Sequence, residues 1–121
     1  MSRSYRKGYN FELRVKRCLE DVGMYVIRSP KSGFPDLFAA YMGEGGWSHF
    51  VIECKVNRED FLRKEREELL RLASEHGFTP VLAFRAKGGR RILLDFIAGD
   101  KIVRLKNWVA SLRRKELKHQ S

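Results

Sequence analysis

The sequence predicts an α/β domain with a mixed central β-sheet flanked by helices, in the order α-β-β-β-α-β-β-α. Apolar residues recur at helical spacing near the start, in the middle and near the end of the chain. Between these segments lie short apolar runs of strand length, bounded by glycine and proline. Two of the runs are joined by a Gly-rich turn, and the next follows only after a helix. Antiparallel neighbours followed by a helical crossover give a mixed sheet. A length of 121 residues makes one domain, spanning 1–121 and able to bury a core without staples.

A basic arm, 1–8, opens the chain with Arg3, Arg6 and Lys7. From about Tyr9 a helical stripe follows, with Phe11, Val15, Cys18, Leu19 and Val22 on one face and Gly23 as its stop. Glu12 flanks that stripe, four residues before Lys16, a spacing that suits a surface ion pair. Met24 to Arg28 is the first strand. The loop from Ser29 to Pro35 breaks regular structure with two prolines and a glycine, and Lys31 and Ser32 could reach a phosphate from it. Leu37 to Tyr41 and Phe50 to Val56 make a hairpin across Gly43, Gly45 and Gly46.

Asn57 followed by Asp60 reads as a helix start, with Leu62, Leu69, Leu72 and Ala73 inside and Gly77 as the stop. Glu59–Arg63 and Glu67–Arg71 are spaced as ion pairs on its outer face. Pro80 to Arg85 and Arg91 to Phe96 form a second hairpin with a cationic tip, Lys87-Gly88-Gly89-Arg90. Leu105, Trp108, Val109 and Leu112 mark a last amphipathic helix, whose stripe completes the core or meets a second subunit. The basic segment 113–121 is expected to fray.

The net charge of +10 and a pI near 10 favour a polyanionic partner, nucleic acid above all. The cations are spread along the chain rather than gathered on one amphipathic helix, which disfavours a membrane surface. No apolar run approaches the roughly 18 residues of a membrane span, and the N-terminus lacks the pattern of a secretory signal. Cys18 and Cys54 sit on apolar faces, as reduced thiols of an intracellular protein do, and the histidines lack the spacing of zinc ligands.

Chemistry concentrates between Ser32 and Lys55. Strand alternation puts Glu53 and Lys55 on one face, roughly 6 to 7 Å apart, with Phe50, Ile52, Cys54 and Val56 on the other. If the hairpin closes, Asp36 approaches Glu53. Two ionised carboxylates beside an apolar core repel unless a cation joins them, and a hard ion such as Mg²⁺ would do so. A solvated strand face and a Pro-Asp turn opener form the plainer alternative.

Pro35-Asp36 at the mouth of one apolar run, sixteen residues between the acids, and Glu53-Cys54-Lys55 in the next run together resemble the PD-(D/E)xK, restriction-endonuclease-like nuclease superfamily. Within it the chain looks like the archaeal-type Holliday junction resolvases, through Lys7-Gly8, Glu12, Arg28-Ser29, Ser32 and Pro80-Val81-Leu82-Ala83-Phe84. The likeness covers roughly residues 5–97. Leu13 stands where the family often has Arg, and the chain after Phe96 does not align.

The resemblance implies a Mg²⁺-dependent endodeoxyribonuclease, with Mn²⁺ able to substitute. Such an enzyme resolves four-way DNA junctions by paired symmetric nicks, in DNA recombination and repair, and works as a two-fold homodimer on branched double-stranded DNA. It implies Asp36, Glu53 and the Cys54 backbone carbonyl as metal ligands, and Glu12 on a metal water or a second ion. Lys55 and Ser32 would complete the catalytic set. Arg3, Arg6, Lys7, Arg28, Ser29, Lys31 and Ser32 would hold DNA. The expected setting is intracellular, in an archaeon or as a virus-encoded protein in its host. Two rivals stand beside this reading. One is a repair, nicking or restriction-like nuclease of the same fold, acting on duplex, flap or single-stranded DNA. The other is a basic DNA-binding protein without catalysis.

Overall fold

The computed structural model describes residues 3–30 and 33–120, with side chains from 6 to 114. The described elements are α1 (Arg3–Glu20), β1 (Tyr25–Arg28), β2 (Leu37–Gly43), β3 (Gly46–Lys55), α2 (Arg63–His76), β4 (Thr79–Arg85), β5 (Ile92–Phe96), β6 (Lys101–Arg104) and α3 (Leu105–Gln120). Six strands lie in sequence order in one sheet. β3 and β4 run parallel, with α2 as their crossover, and the other neighbours run antiparallel. The mixed sheet expected from the sequence is present, extended at its edge by β6.

One face of the sheet is covered by α1 and α3. The stripe Phe11, Val15, Leu19 and Val22 is buried there against Leu37, Phe50, Ile52 and Val81. α3 completes that core: Leu105 is buried and the Trp108 ring meets Phe50 at 5.4 Å and Phe96 at 5.6 Å. On the opposite face Leu69 and Ala73 of α2 pack over Val51, Leu82 and Phe84. β3 is therefore buried on both sides in its second half, so a carboxylate there meets a low dielectric.

Five expectations need correction. α1 begins at Arg3, so Arg6, Lys7 and Gly8 lie in its first turns rather than in an arm ahead of it. Arg and Lys are good helix formers, and one glycine costs only ~1 kcal/mol. The end of the chain is helical to Gln120, a run free of Gly and Pro. The segment after Asn57 is a 3-10 turn, Arg58–Asp60, and α2 starts at Arg63. Leu62 caps it in extended conformation and is exposed rather than inside, with its N–H donating to Glu65 Oε1 at 3.1 Å. The ion pairs on the α2 surface shift accordingly, to Arg63–Glu67 and Arg71–Glu75.

The strand register fixes what shares an edge. Arg28 pairs with Leu37, Lys55 with Phe84, Arg85 with Ile92, and Leu93 with Arg104. The end of β1, the start of β2, the ends of β3 and β4, the start of β5 and the end of β6 therefore form one rim.

Candidate active site

Asp36 stands at the mouth of β2, held by a loop in which Ser29 N–H donates to the Asp36 carbonyl at 3.0 Å. The Ser29 hydroxyl donates to the Pro35 carbonyl across the cis Phe34–Pro35 bond, which commits Ser29 to latching the loop. Gly33 eases the packing here, because a Cβ would come within 3.0 Å of the Ser29 Cβ and 3.1 Å of the Pro30 carbonyl oxygen.

The hairpin brings Asp36 against Glu53. The Asp36 N–H donates to Glu53 Oε1 at 3.1 Å, and the Cys54 N–H donates to Asp36 Oδ2 at 2.8 Å. Glu53 is only 5% exposed. Burial pushes its carboxyl up to about 9, helped by hydrogen bonding with the Asp36 carboxyl and by that group's charge. Burial beside a second carboxyl thus favours the protonated form of Glu53 at neutral pH. Burial likewise raises the Cys54 thiol, leaving it inert.

Lys55 Nζ lies 3.9 Å from Glu53 Oε2 and 2.9 Å from Glu65 Oε2. Desolvation would pull the ammonium pKa down, but the Glu65 hydrogen bond and the nearby acids win and raise it. Lys55 is a cation at neutral pH. Desolvation acts on Glu65 in the upward sense, and here too the Lys55 hydrogen bond and the Leu62 N–H prevail, lowering its pKa. Glu65 is a residue that sequence reasoning missed. Its only local signal is its place three residues after the helix cap, where an acid commonly closes a capping box.

Glu12 reaches the same cavity from α1, on the other side of the rim. It pairs with Arg28 at 3.1 Å, and Lys16 pairs with Glu20 instead. The Arg28 guanidinium also lies 4.7 Å over the Tyr9 ring, and the Glu12 hydrogen bond raises its pKa further. The cavity, about 420 Å³, is lined by Glu12, Arg28, Asp36, Glu53, Lys55 and Glu65 among others. Arg6 and Lys7 are exposed on α1. Lys31, Ser32 and the side chain of Arg3 lie outside what the structure describes.

Among the described residues no three His, Cys, Asp or Glu side chains converge into a metal cage. Asp36 and Glu53 offer two carboxylates at an open cavity. That donor set fits Mg²⁺, which takes one or two carboxylates and keeps several waters.

The family model of the archaeal Holliday junction resolvase (Hjc) matches residues 3–115. The crossover junction endodeoxyribonuclease Hjc of Methanocaldococcus jannaschii is 35% identical over 100 residues, which cover 80% of this chain and 72% of that protein. A solved structure of Archaeoglobus fulgidus Hjc, a Holliday junction resolvase from an archaeal hyperthermophile, superposes with a TM-score of 0.57 at 25% identity, over 73% of this chain and 70% of that one. With a rim of acids and a lysine on a mixed sheet, and with these matches over most of its length, the chain belongs to the archaeal Holliday junction resolvase (Hjc) family.

Proposed function

We propose that this chain resolves four-way DNA junctions by metal-assisted hydrolysis of phosphodiesters, with Asp36, Glu53 and Lys55 as the reacting set. Family membership supports the endonuclease activity on junctions. The observation that carries the site is the buried Asp36–Glu53 pair, open to the cavity and flanked by a charged lysine.

Asp36 and Glu53 would hold Mg²⁺, or Mn²⁺ in its place, with the Cys54 carbonyl as a third ligand. When bound, such an ion offsets negative charge on the phosphoryl group and lowers the pKa of a coordinated water. The protein's own groups do the rest. Lys55, being an ammonium, cannot serve as a base; it stabilises the extra negative charge on the phosphoryl oxygens in the transition state. Glu65 fixes where that ammonium points. Glu12, oriented by Arg28, accepts hydrogen bonds from water at the cavity's α1 side. Ser32 would contact the scissile phosphate from its loop. Arg6, Lys7 and Arg28, together with Arg3 and Lys31, position the backbone of the branched DNA without reading bases.

Paired symmetric nicks require two copies of the site related by a two-fold axis, so the working form is a homodimer. The sheet face that α2 leaves uncovered exposes Tyr25, Ile27, Met42 and Trp47, an apolar surface suited to burial between two copies.

Asp36→Asn tests the reading on an immobile junction with Mg²⁺. Cutting should fall on the order of a thousandfold while metal-free junction binding stays within about twofold. Near wild-type cutting by the variant would overturn it. Linear duplex of equal length, cut as readily as the junction by the wild type, would replace resolution with a general nuclease activity.

A further inference from the structure

A second recess opens on the same rim, beyond the cavity. It measures about 530 Å³ and lies between α1, the β4–β5 hairpin, the end of β6 and the start of α3. Six cations line it: Arg14, Arg90, Arg91, Arg104, Lys106 and Arg113. The only acid among its lining residues is Asp21.

Two of the cations are braces. The Arg14 guanidinium donates to the Arg90 carbonyl at 3.0 Å, tying the hairpin tip to α1, and Arg113 donates to the Asp21 carbonyl at 2.8 Å, tying α3 to α1. Neither takes a carboxylate partner in these bonds. Among the described residues no salt bridge to a carboxylate involves Arg90, Arg91, Arg104 or Lys106. Like charges gathered in one recess repel, which costs the folded state free energy unless an anion answers them. The start of α3 adds to the same field. It carries no acid in its first turn, and Leu105 and Lys106 line the recess, so the positive end of a 16-residue helix faces it. Val22, Leu105 and Val109 supply an apolar floor that strengthens the attraction by excluding water.

The register decides what kind of anion fits. β3, which carries Glu53 and Lys55, and β6, which ends at Arg104, are three strands apart on one rim. Three spacings amount to roughly 14 Å. An arm whose helix axis runs along the rim rises about 3.4 Å per base pair, so it meets the recess about four base pairs from the cavity. We propose that this recess is a second seat for the DNA backbone, holding phosphates of the junction arm about four nucleotides from the scissile phosphate, through Arg91, Arg104 and Lys106. It rests on the junction-cutting reading for its substrate, and it lies outside the residues given DNA contacts above.

The test is the double variant Arg91→Gln/Arg104→Gln, with Arg91→Lys/Arg104→Lys to keep the charge and Lys64→Gln on α2 as a control. Binding to an immobile four-way junction with long arms is measured without metal across a salt series. The glutamine variant should bind on the order of tenfold more weakly near 0.1 M salt, with its log–log salt slope reduced by about 2. The lysine variant and the control should keep the wild-type slope. On a junction whose arms end within three nucleotides of the cut site, wild type and glutamine variant should bind alike, and kcat at saturating long-arm DNA should be unchanged. Equal slopes for wild type and the glutamine variant on long arms would overturn the seat. So would a slope loss that persists on truncated arms, because the recess would then not be reached along the arm. Since binding is read without metal, a wild type that binds with this slope but never cuts would sink the cutting reading and leave the seat standing.

Discussion

The two recesses on the rim invert each other's electrostatics. In the cavity, acids crowd together and each has a partner: Glu53 with Asp36, Glu65 with Lys55, Glu12 with Arg28. In the recess between α1 and α3, cations crowd together and the two arginines bonded within it reach backbone carbonyls. Depth explains part of the contrast. Glu53 hangs on a strand buried on both faces, so unpaired charge would be costly there, whereas the arginines are exposed, where screening tolerates repulsion. On the reading proposed, the cavity would take a small cation between two carboxylates, and the recess a polyanion that runs past it. A phosphodiester substrate needs both on one edge.

The largest effects should come from breaking the cavity's pairings. Lys55→Ala should lower kcat about a hundredfold with little change in metal-free binding, the loss expected when a transition-state charge partner is removed. Glu65→Gln should cost on the order of tenfold in kcat and leave KM near its wild-type value, because Lys55 would remain charged but less fixed. If Glu65→Gln raised KM alone, Glu65 would be a binding contact rather than a positioning residue. A single-turnover cleavage assay reads both variants.

Next in size is the apolar face, which tests the proposed pairing of two copies apart from the arginine recess. Trp47→Glu should shift the protein toward monomer in sedimentation and abolish coupled nicking of the two strands, while single nicks persist. An unchanged dimer with intact paired nicking would move the interface elsewhere.

The metal-free protein should also respond to pH through the cavity alone. Glu53 has a folded-state pKa raised from 4.5 to about 9, so its protonated form favours folding. That stabilisation is complete below about pH 4.5 and is lost as pH rises through 9. Lys55, also raised, loses its contribution in the same alkaline direction. Melting temperature without metal should therefore fall by about 5 °C or more from pH 6 to pH 9, and Glu53→Gln should flatten most of that fall. Glu65, lowered, acts oppositely and only on the acid side. A smallest effect serves as the control: Arg71→Ala breaks an exposed pair with Glu75 and should move stability by no more than ~0.5 kcal/mol, with cutting unchanged.

Local patterns made much of this legible from the sequence. The Phe11–Val15–Leu19–Val22 stripe sits in the core because helical period and burial agree. Strand alternation also placed Glu53 and Lys55 on the α2 side, where Glu65 meets them. β6 was missed because Lys101-Ile102-Val103-Arg104 is short, lies at the sheet edge and buries little, so it leaves no alternation to read. The start of α2 was misplaced because Asn57 precedes a 3-10 turn that ends at Asp60, and such a turn accepts the same leading residues as a helix. Glu65 and the Arg14–Arg104 recess were invisible for a different reason. Their partners are distant in sequence, and only the crossover and the α1–α3 packing bring them together.

The most direct measurement is calorimetric Mg²⁺ binding at pH 7 in two buffers of different ionisation enthalpy. If Glu53 carries a proton that the metal displaces, the wild type should release close to one proton per ion bound, and Glu53→Gln should lose both the release and most of the affinity. Mg²⁺ bound without proton release, or bound equally well by Glu53→Gln, would contradict the assignment.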